Sequence, residues 1–333
     1  MVTDLSACTK RIVNLLLLIF AVSCGQLSDR IKPESLNVDS SITILSDSVY
    51  LSGNNPCIFV DQDRIIVSDY FQGIFEIDDQ ARITHSFAKP GNGPGEVIAC
   101  GQFCVTEDGT ICVFDAGHHA IQYYREGSFL KRMNLPTDLR LSSGSCFFEI
   151  NDSLFCSSIG GDNLVSIIKD GAIIGGLCPL SKYDDPMMPT HSVRNVIKGD
   201  NSLYVIAISL PVVEEYSFSG ELLSSFDLTA IPERATLFRK EQSIVPNTYF
   251  VATGDVCYND GCLFLLSATT IGGYRSNIVI VLEKGEQEWK HTNTYELSGA
   301  DIYTSIAVSD DGFLLALNYS KASIDKYKLT NDE

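Results

Sequence analysis

One four-part grammar recurs along this chain. In its clearest copy, Gly91-Asn92-Gly93-Pro94-Gly95-Glu96 leads through an apolar stretch into residues 103–115 (FCVTEDGTICVFD) and 116–133 (AGHHAIQYYREGSFLKRM). This reads as a Gly-rich loop, a strand, an Asp-Gly turn, a second strand ending in Asp, and two more strands. The second strand makes a good landmark. It starts at Arg64, Thr110, Ser153, Ser202, Cys262 and Phe313, with spacings of 46, 43, 49, 60 and 51 residues. Turn residues precede every copy: Asp61-Gln62-Asp63, Asp108-Gly109, Asn151-Asp152, Gly199-Asp200-Asn201, Asp260-Gly261 and Asp311-Gly312. A four-stranded unit of this length cannot bury its apolar faces alone and must stack on copies of itself. The expected fold is all-β: a six-bladed β-propeller of four-stranded antiparallel blades.

The two ends of the repeat sharpen this expectation. After the last landmark one strand remains, residues 323–328, so the sixth unit lacks its fourth strand. Residues 41–50 (SITILSDSVY) form a strand with no unit of its own. Placing them as the outer strand of the last blade closes the ring and removes exposed edges. The implied organisation is a leader over 1–23, a polar tether over 24–40 and the propeller over 41–330. The largest insertion holds residues 233–242 (ERATLFRKEQ), expected as a short capping helix whose removal leaves the fold intact.

Charge narrows the partners. Lys and Arg total 24 against 42 Asp and Glu, a net charge of −18 with no basic stripe, so nucleic acid is excluded as a partner. The acidic pairs Asp78-Asp79, Asp184-Asp185 and Asp310-Asp311 fall in or near turns and read as solvated surface; no metal or other cofactor is expected. Of eleven cysteines, Cys8 and Cys24 lie at the N-terminus and nine remain. A two-residue turn at Asp108-Gly109 would set Val105 opposite Cys112, putting Cys104 and Cys112 on opposite sheet faces. Cys146 and Cys156 fail the same pairing test, because Phe147 opposes Cys156. The cysteines read as small buried hydrophobes.

Residues 10–24 (KRIVNLLLLIFAVSC) join a positive start to an apolar run shorter than the ~20 residues that cross a bilayer. Small residues then precede Cys24. This resembles the bacterial lipoprotein signal. The resemblance implies removal of residues 1–23, diacylation of Cys24, and an exported chain anchored by lipid to a bacterial membrane, the outer membrane being the expected one.

The stretch from Gly91 to Tyr124 resembles the NHL repeat: Gly91, Gly93, Pro94 and Gly95 match its loop, Asp108-Gly109 its turn, Asp115 its strand-end Asp and Ile121–Tyr124 its third strand. His118-His119 stands where that family usually has Asn-Asn. Asp69 repeats the strand-end Asp in the first unit. Ser157, Ile206, Ser267 and Leu317 stand there in later units. With the lipoprotein signal, residues 41–330 resemble the six-bladed, TolB-like propeller lipoproteins of Bacteroidales. That resemblance speaks to fold and little to activity.

In this strand order nearly every long connection emerges on one face of the ring, where binding tends to live. Candidate ligand-contacting residues on it are Asp69, Tyr70, Lys89, Glu96, Asp115, His118, His119 and Tyr319. Each has a plain structural role beside the functional one. Strand-end Asp residues bond backbone donors, loop histidines are solvated, and aromatics pack between blades. The Gly-rich loop lacks the G-K-[ST] of a phosphate-binding loop. No G-x-S-x-G or H-E-x-x-H motif occurs. The leading expectation is therefore a non-enzymatic, membrane-anchored scaffold for a protein, peptide or glycan. The alternative is a calcium-dependent lactonase or esterase, which needs acids and Asn converging on the central channel. Glu149, Asn151 and Asn259 are the inner-strand residues expected to be available for it. Five histidines do not suggest lyase chemistry at a histidine-bound metal.

Overall fold

The computed structural model describes residues 33–329, apart from 44–56, 62–63, 79, 143, 160, 181–192, 245–250, 270–274, 286–287 and 299–301. The leader, Cys24, Asp184-Asp185 and the 41–50 segment beyond Thr43 lie outside the described residues.

Two short strands come first, β1 (Glu34–Leu36) and β2 (Ser40–Thr43). Blade 1 is β3 (Cys57–Asp61), β4 (Arg64–Asp69), β5 (Gly73–Ile77) and β6 (Ile83–Phe87). Blade 2 is β7 (Cys100–Val105), β8 (Ile111–Asp115), β9 (Ala120–Arg125) and β10 (Ser128–Asn134). Blade 3 is β11 (Phe147–Ile150), β12 (Ser153–Ser157), β13 (Asn163–Lys169) and β14 (Ala172–Pro179). Blade 4 is β15 (Arg194–Lys198), β16 (Leu203–Ala207), β17 (Val212–Tyr216) and β18 (Leu222–Asp227). After helix α1 (Pro232–Ile244), blade 5 is β19 (Thr253–Asn259), β20 (Cys262–Thr269), β21 (Arg275–Lys284) and β22 (Trp289–Leu297). Blade 6 is β23 (Tyr303–Val308), β24 (Phe313–Asn318) and β25 (Ser323–Lys328), and β2 supplies its fourth strand. The chain is a six-bladed β-propeller. All six landmark segments fall on the second strand of a blade.

Packing explains the pattern of apolar runs. The middle strands of a blade are covered on both faces, so β5 (GIFEI) and β8 (ICVFD) are buried throughout. Successive residues serve opposite neighbours. Ile66 and Ile74 pack with Phe103, Ile111 and Tyr124 of blade 2. Ile65, Val67 and Phe75 pack with Leu315, Leu317 and Ile324 of blade 6. Six such clusters occur, each spanning two neighbouring blades. Outer strands face solvent, as β10 (SFLKRMN) does over nearly its whole length.

The ring closes through β2, which pairs antiparallel with β25 from Ser40 opposite Lys326 to Thr43 opposite Ser323. Ile42 is buried in the cluster between blades 6 and 1. Ser41 Oγ donates to Asp325 Oδ1 at 2.6 Å. Asp325 is fully buried and its Oδ2 also accepts from Asn318 Nδ2 (2.8 Å) and Tyr303 OH (3.0 Å). The preceding strand departs from the expectation of a tether over 24–40: β1 adds parallel to the outer edge of blade 5, with Leu36 against its core. One apolar residue in three gives no readable periodicity; the waiting edge of β22 makes the strand.

The turns correct one register. The Asp108-Gly109 turn does not form a two-residue hairpin. Thr106 N donates to Thr110 O and Gly109 N to Thr106 O, both at 2.9 Å, with Gly109 at φ 79°. Asp108 Oδ1 accepts from Thr110 N at 3.1 Å, an Asx bond that favours this longer loop. The register moves by one residue, so Cys104 lies directly opposite Cys112 on the same sheet face, not on opposite faces. Asn151-Asp152 does make a two-residue turn, with φ of 50° and 60°, and Phe147 opposes Cys156 as expected. The nine cysteines from Cys57 to Cys262 are all free thiols.

The helix expected at 233–242 forms as α1, with Pro232 in its first turn where a missing N–H costs nothing. It is more than a cap. Phe238 and Arg234 are buried, and the Arg234 guanidinium donates to Ala252 O (2.9 Å) and to Ser267 Oγ. Excising it would strip that buried surface from the ring, so the expectation of an undisturbed fold is corrected.

Replacing Ile42 with Ala is expected to cost ~2–4 kcal/mol in urea unfolding, the range for a buried aliphatic truncation, whereas Thr43→Ala on the exposed side of β2 costs under about 0.5 kcal/mol. An unchanged urea midpoint for Ile42→Ala would show that β2 does not hold the ring.

Candidate functional site

The loop face is organised around Asp115, the last residue of β8, which is fully buried. Its Oδ1 accepts from the backbone N–H of Ile98 and of His118, each at 3.2 Å. Its Oδ2 accepts from Gln122 Nε2 at 2.9 Å and lies 2.5 Å from His118 Nδ1. A carboxylate can only accept, so the His118 proton sits on Nδ1. Gln122 Nε2 also donates to Glu96 O at 2.7 Å, and Tyr124 OH donates to Gly95 O at 3.1 Å. Asp115 thus stitches the Gly-rich loop to the loop after β8.

That Gly-rich loop carries its own anion. Glu96 Oε2 accepts from Gly93 N at 2.7 Å. A Cβ on Gly91 would fall 2.0 Å from the same oxygen, which is why glycine stands there. The folded-back carboxylate caps the loop's own backbone N–H.

The remaining candidates separate into two kinds. Asp69 is fully buried and its Oδ1 accepts from Phe71 N at 3.0 Å. His119 sits at φ 51° with Nε2 3.0 Å from Pro136 O. Asp69 serves its own loop, and His119 ties the loop after β8 to the connection after β10. Lys89 is exposed, and its carbonyl accepts from Val97 N at 2.9 Å. Tyr70 is half-buried and meets Phe71 edge-on at 5.0 Å. Phe71, Ile98 and Tyr319 are more than half exposed, at 53, 51 and 52%. They sit on loops of three consecutive blades, 6, 1 and 2, and packing between blades does not consume them. In blade 6 the strand-end position is Asn318, not Leu317: Asn318 Oδ1 accepts from Lys321 N at 3.0 Å, as Asp115 does from His118. The offset of one residue hid this counterpart in the sequence.

A second site lies on the ring axis. The inner strands of all six blades (β3, β7, β11, β15, β19 and β23) line a cavity of about 320 Å³. Its wall is largely apolar, with Ile58, Phe103, Phe147, Val196 and Ile306 among its residues, but Asp255, Asn195 and the thiols of Cys57, Cys146 and Cys257 also line it. A bulge at Gly254, between Thr253 and Asp255, shifts the β19 register there. Asp255 Oδ2 accepts from Ser305 Oγ (2.6 Å) and Ile306 N (2.9 Å). Burial pushes its carboxyl up to about 6, against the pull of those two hydrogen bonds and one from the Val256 backbone N–H. Burial, with the Asp255 charge next in weight, pushes the thiols of Cys57 and Cys257 well up, and Cys146 rises to about 12 for the same reasons. Asn195, 4% exposed, accepts from Cys146 Sγ at 3.3 Å through Oδ1, and its Nδ2 has no partner. Below these groups Lys198 Nζ of blade 4 reaches Glu107 of blade 2.

These inner-strand polar groups differ from the expected ones. Glu149 accepts from Cys112 Sγ at 3.8 Å, and Asn151 and Asn259 sit in or beside turns. Which residue of a short inner strand meets the axis depends on register and bulges, so only the coordinates reveal Asp255 and Asn195.

No family model matches the chain, and no curated protein matches it. Solved structures do. A candidate exported protein from Bacteroides fragilis superposes with a TM-score of 0.63 at 14% identity, over 91% of this chain and 98% of that one. A Bacteroides vulgatus protein from a family of unknown function gives 0.58 at 10% identity, over 89% and 98%. A streptogramin B lyase gives 0.51 at 16% identity, over 87% and 97%. At these identities the likeness is one of fold.

Proposed function

We propose that this protein is an exported, lipid-anchored binding scaffold whose loop face holds a polypeptide. The observation that carries this is the exposure of three large apolar side chains, Phe71, Ile98 and Tyr319, on loops of three consecutive blades. Exposed apolar groups grouped on rigid loops mark an interaction surface. Aromatics alone would suit a glycan as well as a peptide. The aliphatic Ile98 beside them favours a peptide or protein segment. The titratable groups on the same face are committed to loop structure: Asp115 has four donors around it, and Glu96 closes its own loop.

Membrane attachment rests on Cys24 and its preceding apolar run, and export on the same leader. A Bacteroides fragilis neighbour of the same fold carries an exported description, which supports that reading. NHL-like ancestry, in a TolB-like lipoprotein of Bacteroidales, rests on Gly91–Tyr124. The calcium-dependent hydrolase alternative gains nothing from the geometry. Calcium takes about six to eight oxygen ligands. The axial cavity offers one carboxylate, and among the described residues no three His, Cys, Asp or Glu side chains gather to hold a metal ion.

This loop face can be tested with a displayed library of random peptides selected on the purified protein. Peptides enriched on the native chain are expected to bind the Phe71→Ser/Tyr319→Ser variant at least tenfold more weakly, and His118→Ala about as well as the native chain. Equal binding to the double variant, or no enrichment at all, would overturn the reading. For the anchor, Cys24→Ser is expected to abolish metabolic labelling with a fatty acid and to move the protein from the membrane to the soluble fraction. Retention of label by that variant would remove Cys24 as the acylated residue.

A further inference from the structure

We propose that the axial cavity is a binding site for a small organic amine, a largely apolar molecule whose ammonium group rests on the carboxylate of Asp255. This inference is independent of the loop-face reading, since the two sites share no residue.

The cavity has the size and make-up of a ligand site. About 320 Å³ falls within the ~300–1,000 Å³ of small-molecule sites, which are mainly apolar with a few convergent polar groups. Two of the polar groups here bear on a ligand, the carboxylate of Asp255 and the amide of Asn195. Asp255 receives hydrogen bonds from neutral donors alone, Ser305 Oγ and Ile306 N of blade 6 on Oδ2 and the backbone N–H of Val256 on its own strand. Among the described residues no cation partners it. The lysine that lines the cavity, Lys198, is engaged by Glu107. A carboxylate held in a mostly apolar enclosure without a counter-charge is costly, and an ammonium group supplies that charge.

Asn195 adds the second, independent mark. It lies on β15, the inner strand next to β19, and is buried at 4% exposure with Nδ2 unpaired. An unmade hydrogen bond on a buried donor is costly. A hydroxyl, ether or carbonyl oxygen on the bound amine would satisfy it. Phe103 and Phe147 in the wall offer apolar contact.

The sign of the charge is decided by the other titratable groups. Asp255 is faced by the thiols of Cys57 from blade 1, Cys146 from blade 3 and Cys257 from its own strand, and by Ser305 from blade 6; Cys104 of blade 2, Lys198 of blade 4 and Tyr258 of blade 5, whose OH donates to Asp200, complete the titratable lining. The thiols of Cys57, Cys146 and Cys257 stay protonated at neutral pH, so Asp255 sets the field and anions are excluded. Below about 6 a proton competes for the same oxygen, and amine binding weakens as pH falls.

Calorimetry on the mature chain tests this with three probes of one shape: 2-phenylethylamine, 2-phenylethanol and phenylacetate. At pH 7.5 the amine is expected to bind with one site per chain, at least tenfold more tightly than the alcohol, with no heat from phenylacetate. Asp255→Asn is expected to erase the preference for the amine over the alcohol. Asn195→Ala is expected to weaken 2-amino-1-phenylethanol while leaving 2-phenylethylamine unchanged. Should Asp255→Asn not fold, the native chain decides: its affinity for the amine falls close to tenfold per pH unit below about 6. No amine binding at pH 7.5, equal binding of phenylacetate, or an affinity flat from pH 7.5 to 5 would overturn the proposal. The Phe71→Ser/Tyr319→Ser variant keeps amine binding, so failure at either site leaves the other standing.

Discussion

Ser41 and Asp325 are 284 positions apart in the chain, and the hydrogen bond between them belongs to the strand pair on which everything else rests. Without β2 beside β25, blade 6 would have three strands and an open edge, and nothing in the chain's order would hold blade 6 against blade 1. Closing so long a loop costs entropy, but the cost grows only with the logarithm of its length. Ile42 and the bonds to Asp325 are placed where that cost must be offset. Each inter-blade cluster is built from two blades, so a ring open at one point would expose one of six core layers.

Given a closed ring, each buried carboxylate can be judged by its partners. Asp115 and Asp325 lie in similar places, at or beyond the second strand of a blade, and each is surrounded by donors from its own blade and a neighbouring segment. They are fasteners. Asp255 is only partly buried, lines the axial cavity, and has neutral donors and no cation beside it among the described residues. The cavity and the missing counter-charge separate it from the other two, because a charge with too few partners in such a place is stable only when something else completes it.

The loop face and the axis divide the work. Loop residues such as Asp69, His119 and Glu96 spend their polar groups on shaping corners, and the exposed apolar side chains beside them remain for a partner. The axial strands have no corners to shape. Their polar residues therefore point to a ligand more directly than the same residues would on a loop.

The sequence by itself determined the architecture. Six landmark strands behind polar turns, an unpaired strand at each end and middle strands apolar throughout left the six-bladed ring as the consistent solution, because stacking is the one way such units bury both faces. It also located the loops and the α1 helix. It could not determine register, since one residue's difference at the Asp108-Gly109 turn swaps every side chain to the other face, and that turned on an Asx bond from Asp108. Nor could it show that Glu34–Leu36 is a strand, because an edge strand is made by its neighbour. The axial groups Asp255 and Asn195 were illegible for the same reason: they come from two blades, and only the closed ring, with the bulge at Gly254, brings them to one cavity.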